Sequence, residues 1–364
     1  MKSKKSLKIA IIHPVLAFGG GDRLAVILAN ELTKRKFDVT FLYFEEKEGF
    51  TTIAKKKRIQ PRKFPFKLPY ELKLLLSLDK FLKEKNNFDA FIITGTKNFI
   101  LSSFLSKNKK VIHYLHFPFY QALPNLTWFQ NFLRKCYNIF FCFLNNISLK
   151  YNKNFMIFTN SKLTKKSIQK VYPYLNIKVV YPPVDINKFK PNEKVRKNKI
   201  LMVGRIDPFK KYELVLEKLN KLRLRNITLI GSVSDEKYYK WLKQKFPLVK
   251  FKTNVSDEIL VKNLNKAKLF IFTNPQEHFG MVVAEAMSCG IPVLVPKGCG
   301  VSEIIENGKN GFLFSEDFSD FLTQFQKAIN SSNTIKKNAR KTIIEKCSIS
   351  KFIVHFEKEL IGEP

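Results

Sequence analysis

Two glutamates, Glu277 and Glu285, stand eight positions apart in PQEHFGMVVAEAMSCGIPVLVPKGCG, residues 275–300. Paired carboxylates cleave glycosides when they are held about 5 Å apart in retaining enzymes, or up to about 9.5 Å apart in inverting ones. Eight residues of helix rise about 12 Å, so the spacing disfavours an acid–base couple. It suits two carboxylates gripping different hydroxyls of one extended ligand. Glu277 is expected in a polar turn, ahead of a short helix that stops at Cys289-Gly290. There Gly280, Met281 and Val282 present backbone N–H groups at a helix N-terminus, a place that favours a phosphate or a sugar hydroxyl.

Three further stretches carry polar chemistry. In Val203-Gly204-Arg205-Ile206-Asp207-Pro208-Phe209-Lys210-Lys211 a strand ends, a glycine frees the turn, and two cations converge. Arg205 supplies a planar fork for phosphate and Lys210 a point charge, a pair that suits a leaving diphosphate. Chance pairing is the plain alternative in a chain with 65 Lys and Arg. Gly19-Gly20-Gly21-Asp22-Arg23 lets backbone approach a ligand at the start of a helix. It is not GxGxxG, and a tight strand-to-helix turn explains it equally well. His113-Tyr114-Leu115-His116-Phe117-Pro118 ends a strand, where open α/β sheets bind ligands. His116 is the ligand-facing candidate, and His113 fits better as a satisfied core histidine. No Asp-x-Asp, His-x-x-x-His or cysteine cluster points to a metal, and neither a Walker A sequence nor a nucleophile elbow is present.

The elements that must position these groups follow from the apolar runs. Residues 7–12, 39–44, 88–94 and 111–115 are short apolar runs, and a helical pattern such as 72–85 lies between them. Residues 200–203, 227–230, 269–272 and 291–295 repeat the pattern after a break at Tyr181-Pro182-Pro183-Val184 and the polar stretch 187–199. Strand and helix alternating at this spacing give βαβ units and two doubly wound parallel sheets. At 364 residues the chain is long enough for two domains with their own cores.

The charge is unusual. The net balance is +35, with 35 basic against 11 acidic residues up to position 190 and 30 against 19 after it. Such a surface attracts polyanions, either an anionic membrane or nucleic acid; compositional drift explains part of the excess but less of its asymmetry. Residues 128–158 crowd aromatics among Arg134, Lys135 and Lys150, either as plain core or as a face for a membrane interface. Five cysteines without metal spacing point to a reduced, cytoplasmic compartment. The N-terminal apolar run is broken by His13-Pro14 and reads as a buried strand rather than a signal peptide, and no run is long enough to span a bilayer.

Taken together, the chain resembles the retaining glycosyltransferases of family four. The resemblance rests on Gly19-Gly20, Leu115-His116-Phe117-Pro118, Thr159-Asn160-Ser161, Tyr181-Pro182-Pro183-Val184-Asp185, Gly204-Arg205 with Lys210, the block from Glu277 to Glu285, and residues 308–313. It implies an α/β fold of GT-B architecture, two Rossmann-like domains with parallel sheets facing a central cleft. The expected division is 1–186 as an acceptor-binding domain, 187–199 as linker and 200–342 as a nucleotide-sugar domain. Helices in 343–364 would pack back towards the N-terminal domain.

The resemblance also assigns roles. Arg205 and Lys210 would hold the donor diphosphate beside Gly204, and Glu285 the nucleotide ribose. Glu277 would contact the transferred sugar, with backbone at Phe279, Gly280 and Met281. Gly19 and Gly20 would line the diphosphate, and His116 would sit beside the reacting carbon. Asp22 stands where many members carry Glu, and Gly298-Cys299-Gly300 where a Gly-Gly pair is usual. The spelling Glu277-His278-Phe279-Gly280 and the segment Leu115-His116-Phe117-Pro118 look most like mannosyltransferases that extend lipid-linked glycans.

The expected activity is therefore metal-independent transfer of a hexose, mannose from GDP-mannose or else a sugar from a UDP donor, with no cofactor. The expected acceptor is a lipid-linked or envelope glycan, met by a peripheral protein on the inner face of the cytoplasmic or ER membrane. The rivals are a soluble enzyme acting on a free sugar and, with less behind it, a basic nucleic-acid-binding protein.

Overall fold

Strands such as Lys8–Ile12 and Ala90–Thr94 bury nearly every side chain, and a strand without a wet face needs helices on both sides of its sheet. The computed structural model describes residues 6–16, 19–46, 51–63, 68, 70–96, 98–116, 128–195 and 198–362. The chain divides into two units, Met1–Tyr181 with Phe352–Pro364, and Pro182–Lys351.

The first unit contains strands β1 (Lys8–Ile12), β2 (Val15–Leu16), β3 (Asp38–Tyr43), β4 (Glu45–Glu46), β5 (Lys55–Arg58), β6 (Ala90–Thr94), β7 (Lys110–Leu115), β8 (Met156–Thr159) and β9 (Ile177–Val179). Seven of them form one sheet in the order β5-β3-β1-β6-β7-β8-β9, parallel throughout, and β2 pairs with β4. From β1 the chain winds outwards to β3 and β5, then returns to β6 and winds the other way. The order reverses between β1 and β6, and loops leaving the C-terminal ends of two such strands diverge and open a crevice.

The second unit repeats the design with β10 (Lys199–Val203), β11 (Ile227–Gly231), β12 (Lys250–Thr253), β13 (Ala267–Ile271), β14 (Val293–Pro296) and β15 (Phe312–Phe314). Its order, β12-β11-β10-β13-β14-β15, is again all parallel and reverses between β10 and β13. Each unit is thus Rossmann-like, with its own buried apolar clusters.

Local departures from the sequence pattern have physical causes. The expected helix over 72–85 is two helices, Tyr70–Leu76 and Leu78–Lys83, broken at Ser77. That serine is fully buried, and its hydroxyl accepts from the Arg62 N–H at 3.0 Å. The tail forms two helices, Asn333–Cys347 and Ile349–Ile361, parted where Ser348 turns extended and the Cys347 carbonyl accepts from Val184 N–H at 2.7 Å. Within the first unit Phe352 and Phe356 then pack on Tyr114 and Phe158. All five cysteines are thiols.

Residues 187–195 and 198–199 are bonded to the second unit along their length. Phe189 is buried, its carbonyl accepts from Ser288 Oγ at 2.6 Å, and Asn192 N–H donates to Asn265 Oδ1 at 2.7 Å. Arg340 adds a three-way clasp: its guanidinium donates to the carbonyls of Ile186, Phe189 and Ser288. Ser288 ends the helix Met281–Ser288, so the cation also meets the negative end of a helix dipole. Arg340→Ala should therefore cost about 3 kcal/mol of stability in urea denaturation, and Arg340→Lys less. A loss below about 1 kcal/mol would show that these bonds do not anchor the segment.

Candidate functional site

In the second unit the two loops leaving the switch point carry most of the polar residues singled out above. The loop after β10 holds Gly204, Arg205 and Asp207, then a single turn, Pro208–Lys210. The loop after β13 holds Thr273, Asn274 and Glu277. The two are tied twice. Thr273 Oγ1 donates to the carbonyl of Lys210, and Lys210 Nζ makes a short ion pair with Glu277 Oε2. Lys210 is buried, with its ammonium 5.8 Å from the Phe272 ring centre.

Burial by itself would push the Glu277 carboxyl up. The charge and hydrogen bond of Lys210 outweigh it, helped by His278 and Arg205, and hold the carboxyl below its ordinary value. Glu277 is therefore an ionised acceptor at neutral pH.

Gly280 follows at φ +96°, a left-handed conformation that suits glycine, and forms the N-cap of the helix Met281–Ser288 without any side-chain cap. The preceding loop is seated on the next one. Gly300 N–H donates to Glu277 O at 2.9 Å and Val301 N–H to Phe279 O at 2.7 Å. A Cβ at Gly300 would lie 1.9 Å from the His278 carbonyl oxygen, so the seat requires glycine.

Around the ion pair, Tyr212 Oη, Asn274 Nδ2 and Asp207 Oδ1 are buried without a hydrogen-bond partner among the described residues. Tyr212 Oη lies 2.8 Å from where a Cβ on Gly204 would stand. Burial, then the Asp207 and Glu277 carboxylates, push this phenol up, so it stays protonated. The arrangement combines a held cation, a held anion, an uncapped helix N-terminus and unsatisfied polar atoms. It can take a ligand with both phosphate and hydroxyl groups.

Not every candidate joins this cluster. The Arg205 side chain is 62% exposed, with Nε 3.7 Å from Asp207 Oδ2. Glu285 is buried within the helix Met281–Ser288. Since that helix begins at Met281, half of the interval from Glu277 to Glu285 is loop, and helical rise does not measure their separation.

The first unit has its own cluster at its switch point. Gly19 is the N-cap of the helix Gly20–Lys34, again without a side-chain cap, and Asp22 lies in its first turn. His13, just after β1, bonds Thr94 Oγ1 through Nδ1 at 2.6 Å and Asp22 Oδ1 through Nε2 at 2.8 Å. The Asp22 carboxylate lies against Gly19, where a Cβ would meet Oδ2 at 2.7 Å. His116, at the end of β7, is buried; its ring stands 3.7 Å from where a Cβ on Gly21 would be, and its carbonyl accepts from Asn160 Nδ2 at 3.0 Å. Phe117 and Pro118 lie outside the described residues. Sequence reasoning missed His13, Thr94 and Thr273. The available signal was their place: each is polar and directly ends an apolar run at a switch-point strand.

Residues 18–188 match the family model Glycosyltransferase Family 4, and residues 183–342 match Glycosyl transferases group 1. The Alpha-1,3/1,6-mannosyltransferase ALG2 of Candida glabrata is 25% identical, across 99% of this chain and 94% of that protein. A probable sucrose-phosphate synthase of Thermosipho melanesiensis is 31% identical over 53% of this chain and 51% of its own. Among solved structures, Anabaena Alr3699/HepE in complex with UDP and glucose superposes with a TM-score of 0.75 at 18% identity, covering 98% of this chain and 100% of that one.

His113, the other histidine of its segment, is a core group. It is fully buried, Nε2 faces the Thr96 carbonyl at 3.0 Å, and Nδ1 faces Ser102 Oγ at 2.7 Å. A carbonyl only accepts, so Nε2 carries the proton and the serine hydroxyl donates to Nδ1. Burial, partly offset by the Thr96 bond, pushes the imidazole down from 6.5 to about 4. Between those two values the unfolded chain binds more protons than the folded one, so stability falls as pH drops through that window. The expected loss from this group is about 2 kcal/mol between pH 7 and pH 5. Denaturation at the two pH values should show a smaller loss in His113→Gln; an unchanged loss would assign the effect to other groups.

Proposed function

The chain belongs to glycosyltransferase family 4, with the GT-B fold, and from that premise we propose that it moves mannose from GDP-mannose onto a lipid-linked or cell-envelope glycan, retaining the anomeric configuration. The observation that carries this reading is the Lys210–Glu277 pair beside the uncapped N-terminus of the helix Met281–Ser288. Likeness to an Alpha-1,3/1,6-mannosyltransferase along nearly the whole chain supports the choice of sugar.

In this reading Lys210 turns from Glu277 to the donor diphosphate, and the exposed Arg205 fork folds onto the same group. Glu277, ionised and released, accepts hydrogen bonds from hydroxyls of the sugar. The N–H groups at Gly280 and Met281 take a phosphate or hydroxyl oxygen, and Glu285 holds the ribose. Gly19, Gly20 and His116 keep the roles that the family resemblance gives them. The acceptor oxygen bonds to the anomeric carbon as the carbon–diphosphate bond breaks on the same face, and the acceptor proton passes to the departing diphosphate. The cations stabilise that leaving group, so the step needs neither an enzyme nucleophile nor a metal ion.

The lipid-linked acceptor would bring the protein to the inner face of the cytoplasmic or ER membrane. Among the described residues no helix is long and apolar enough to cross one. The likeness to a probable sucrose-phosphate synthase favours a second reading, transfer to a free sugar.

A thermal-shift screen of GDP-mannose, UDP-glucose, UDP-GlcNAc and ADP-glucose should single out GDP-mannose; stabilisation by a UDP-sugar alone would move the donor assignment. Arg205→Ala should lower kcat/KM by about a hundredfold or more while the fold persists. Full activity in that variant would remove the mechanism.

A further inference from the structure

The aromatic stretch forms one helix, Trp128–Tyr151, and it is folded inside out. A helix on a globular protein normally buries its apolar stripe and wets its polar one. Here the inward face carries Asn145 and Ser148 beside Phe141 and Leu149. Asn145 Oδ1 accepts from Phe99 N–H at 2.8 Å, Ser148 Oγ donates to Asn145 O at 2.9 Å, and Ser103 of the helix Ile100–Leu105 donates to the Ser148 and Asn152 carbonyls. The polar groups are engaged inward, so the helix cannot roll to hide its other side without breaking those bonds.

The outward side holds Phe132, Ile139, Phe140, Phe143, Ile147 and Tyr151, at helical spacing along one face. Ile139 and Phe143 are 64% and 62% exposed, and Trp128, stacked on Phe132, is 81% exposed. A contiguous apolar face of this kind marks an interaction surface.

We propose that this face is a membrane-docking surface that lies in the headgroup layer of an anionic bilayer. Charge selects the occupant. The 24-residue helix contains no Asp or Glu, the exposed Lys135 and Lys150 accompany the apolar face, and Lys107 sits against Tyr151 at its C-terminal end. A second copy of the chain would set these cations against their own duplicates in a molecule of net charge +35, which like-charge repulsion opposes. An anionic lipid surface meets both features at once, taking the aromatics among its acyl chains and the lysines among its headgroups. The inference deepens the proposal of a lipid-linked acceptor by naming the surface that meets the lipid.

The test is co-sedimentation of the full chain with vesicles of phosphatidylcholine, alone or with about 30 mol% phosphatidylglycerol. A Trp241→Phe background leaves Trp128 as the sole tryptophan reporter. Binding to the anionic vesicles with a blue shift of Trp128 emission is expected. Ile139→Glu/Phe143→Glu should weaken it by about tenfold or more, and Lys135→Gln/Lys150→Gln should reduce the preference for anionic lipid. Both positions of the first pair are exposed, so nucleotide-sugar binding by thermal shift should be unchanged in that variant; this checks the fold and separates this inference from the donor assignment. Vesicle binding unaffected by the glutamate pair, or absent in the parent protein, would overturn the proposal. So would a concentration-dependent dimer that the same pair abolishes.

Discussion

Lys210 keeps its ammonium in a site where only a tenth of the side chain meets water, and the Glu277 carboxylate is what makes that burial tolerable. A charge taken out of water costs several kcal/mol unless a partner in good geometry answers it. Here the partners come from loops 67 residues apart in sequence, one leaving β10 and the other β13. The pair therefore depends on those two strands being neighbours. Thr273, bonded to the Lys210 carbonyl, fixes the distance between the loops, and the seat of the Glu277–Phe279 loop on Gly300 and Val301 fixes the anion. The pair thus stands assembled between the two loops at the switch point, and in the proposed reaction it parts so that each charge meets its own portion of the donor.

The same logic of strand order acts in the first unit. Its sheet also reverses direction, between β1 and β6, and its buried polar chain of Thr94, His13 and Asp22 joins the two loops that diverge there. Other polar side chains, away from the switch points, serve structure. Arg340 gathers three carbonyls, and Asn160 and Thr159 tie the end of β8 to the end of β7.

The two Rossmann-like sheets were legible in the residues because their central strands are buried on both faces, leaving uninterrupted apolar runs. Edge strands escaped for the opposite reason. β5 reads Lys-Lys-Lys-Arg with every side chain exposed, and β12 reads Lys-Phe-Lys-Thr, since a sheet edge is protected by charge. In the site, Lys210 and Glu277 could each be singled out by type and motif, but their contact could not, because it is a property of strand order. His13 looked like an interruption of an apolar run and proved to be held in a hydrogen-bonded chain. The helix Trp128–Tyr151 was ambiguous because periodicity marks two faces of a helix without saying which one is buried. Its asparagine and serine bonds decide that in the folded protein.

If the ion pair is the place where a nucleotide-sugar is received, removing the cation must weaken the hold on the diphosphate itself. Calorimetric titration of GDP and of UDP into the parent protein and into Lys210→Met, a substitution that keeps the length of the side chain, measures this directly. The account predicts that whichever nucleotide binds the parent binds the variant about thirtyfold more weakly, close to 2 kcal/mol. Equal affinity in the folded variant would contradict it.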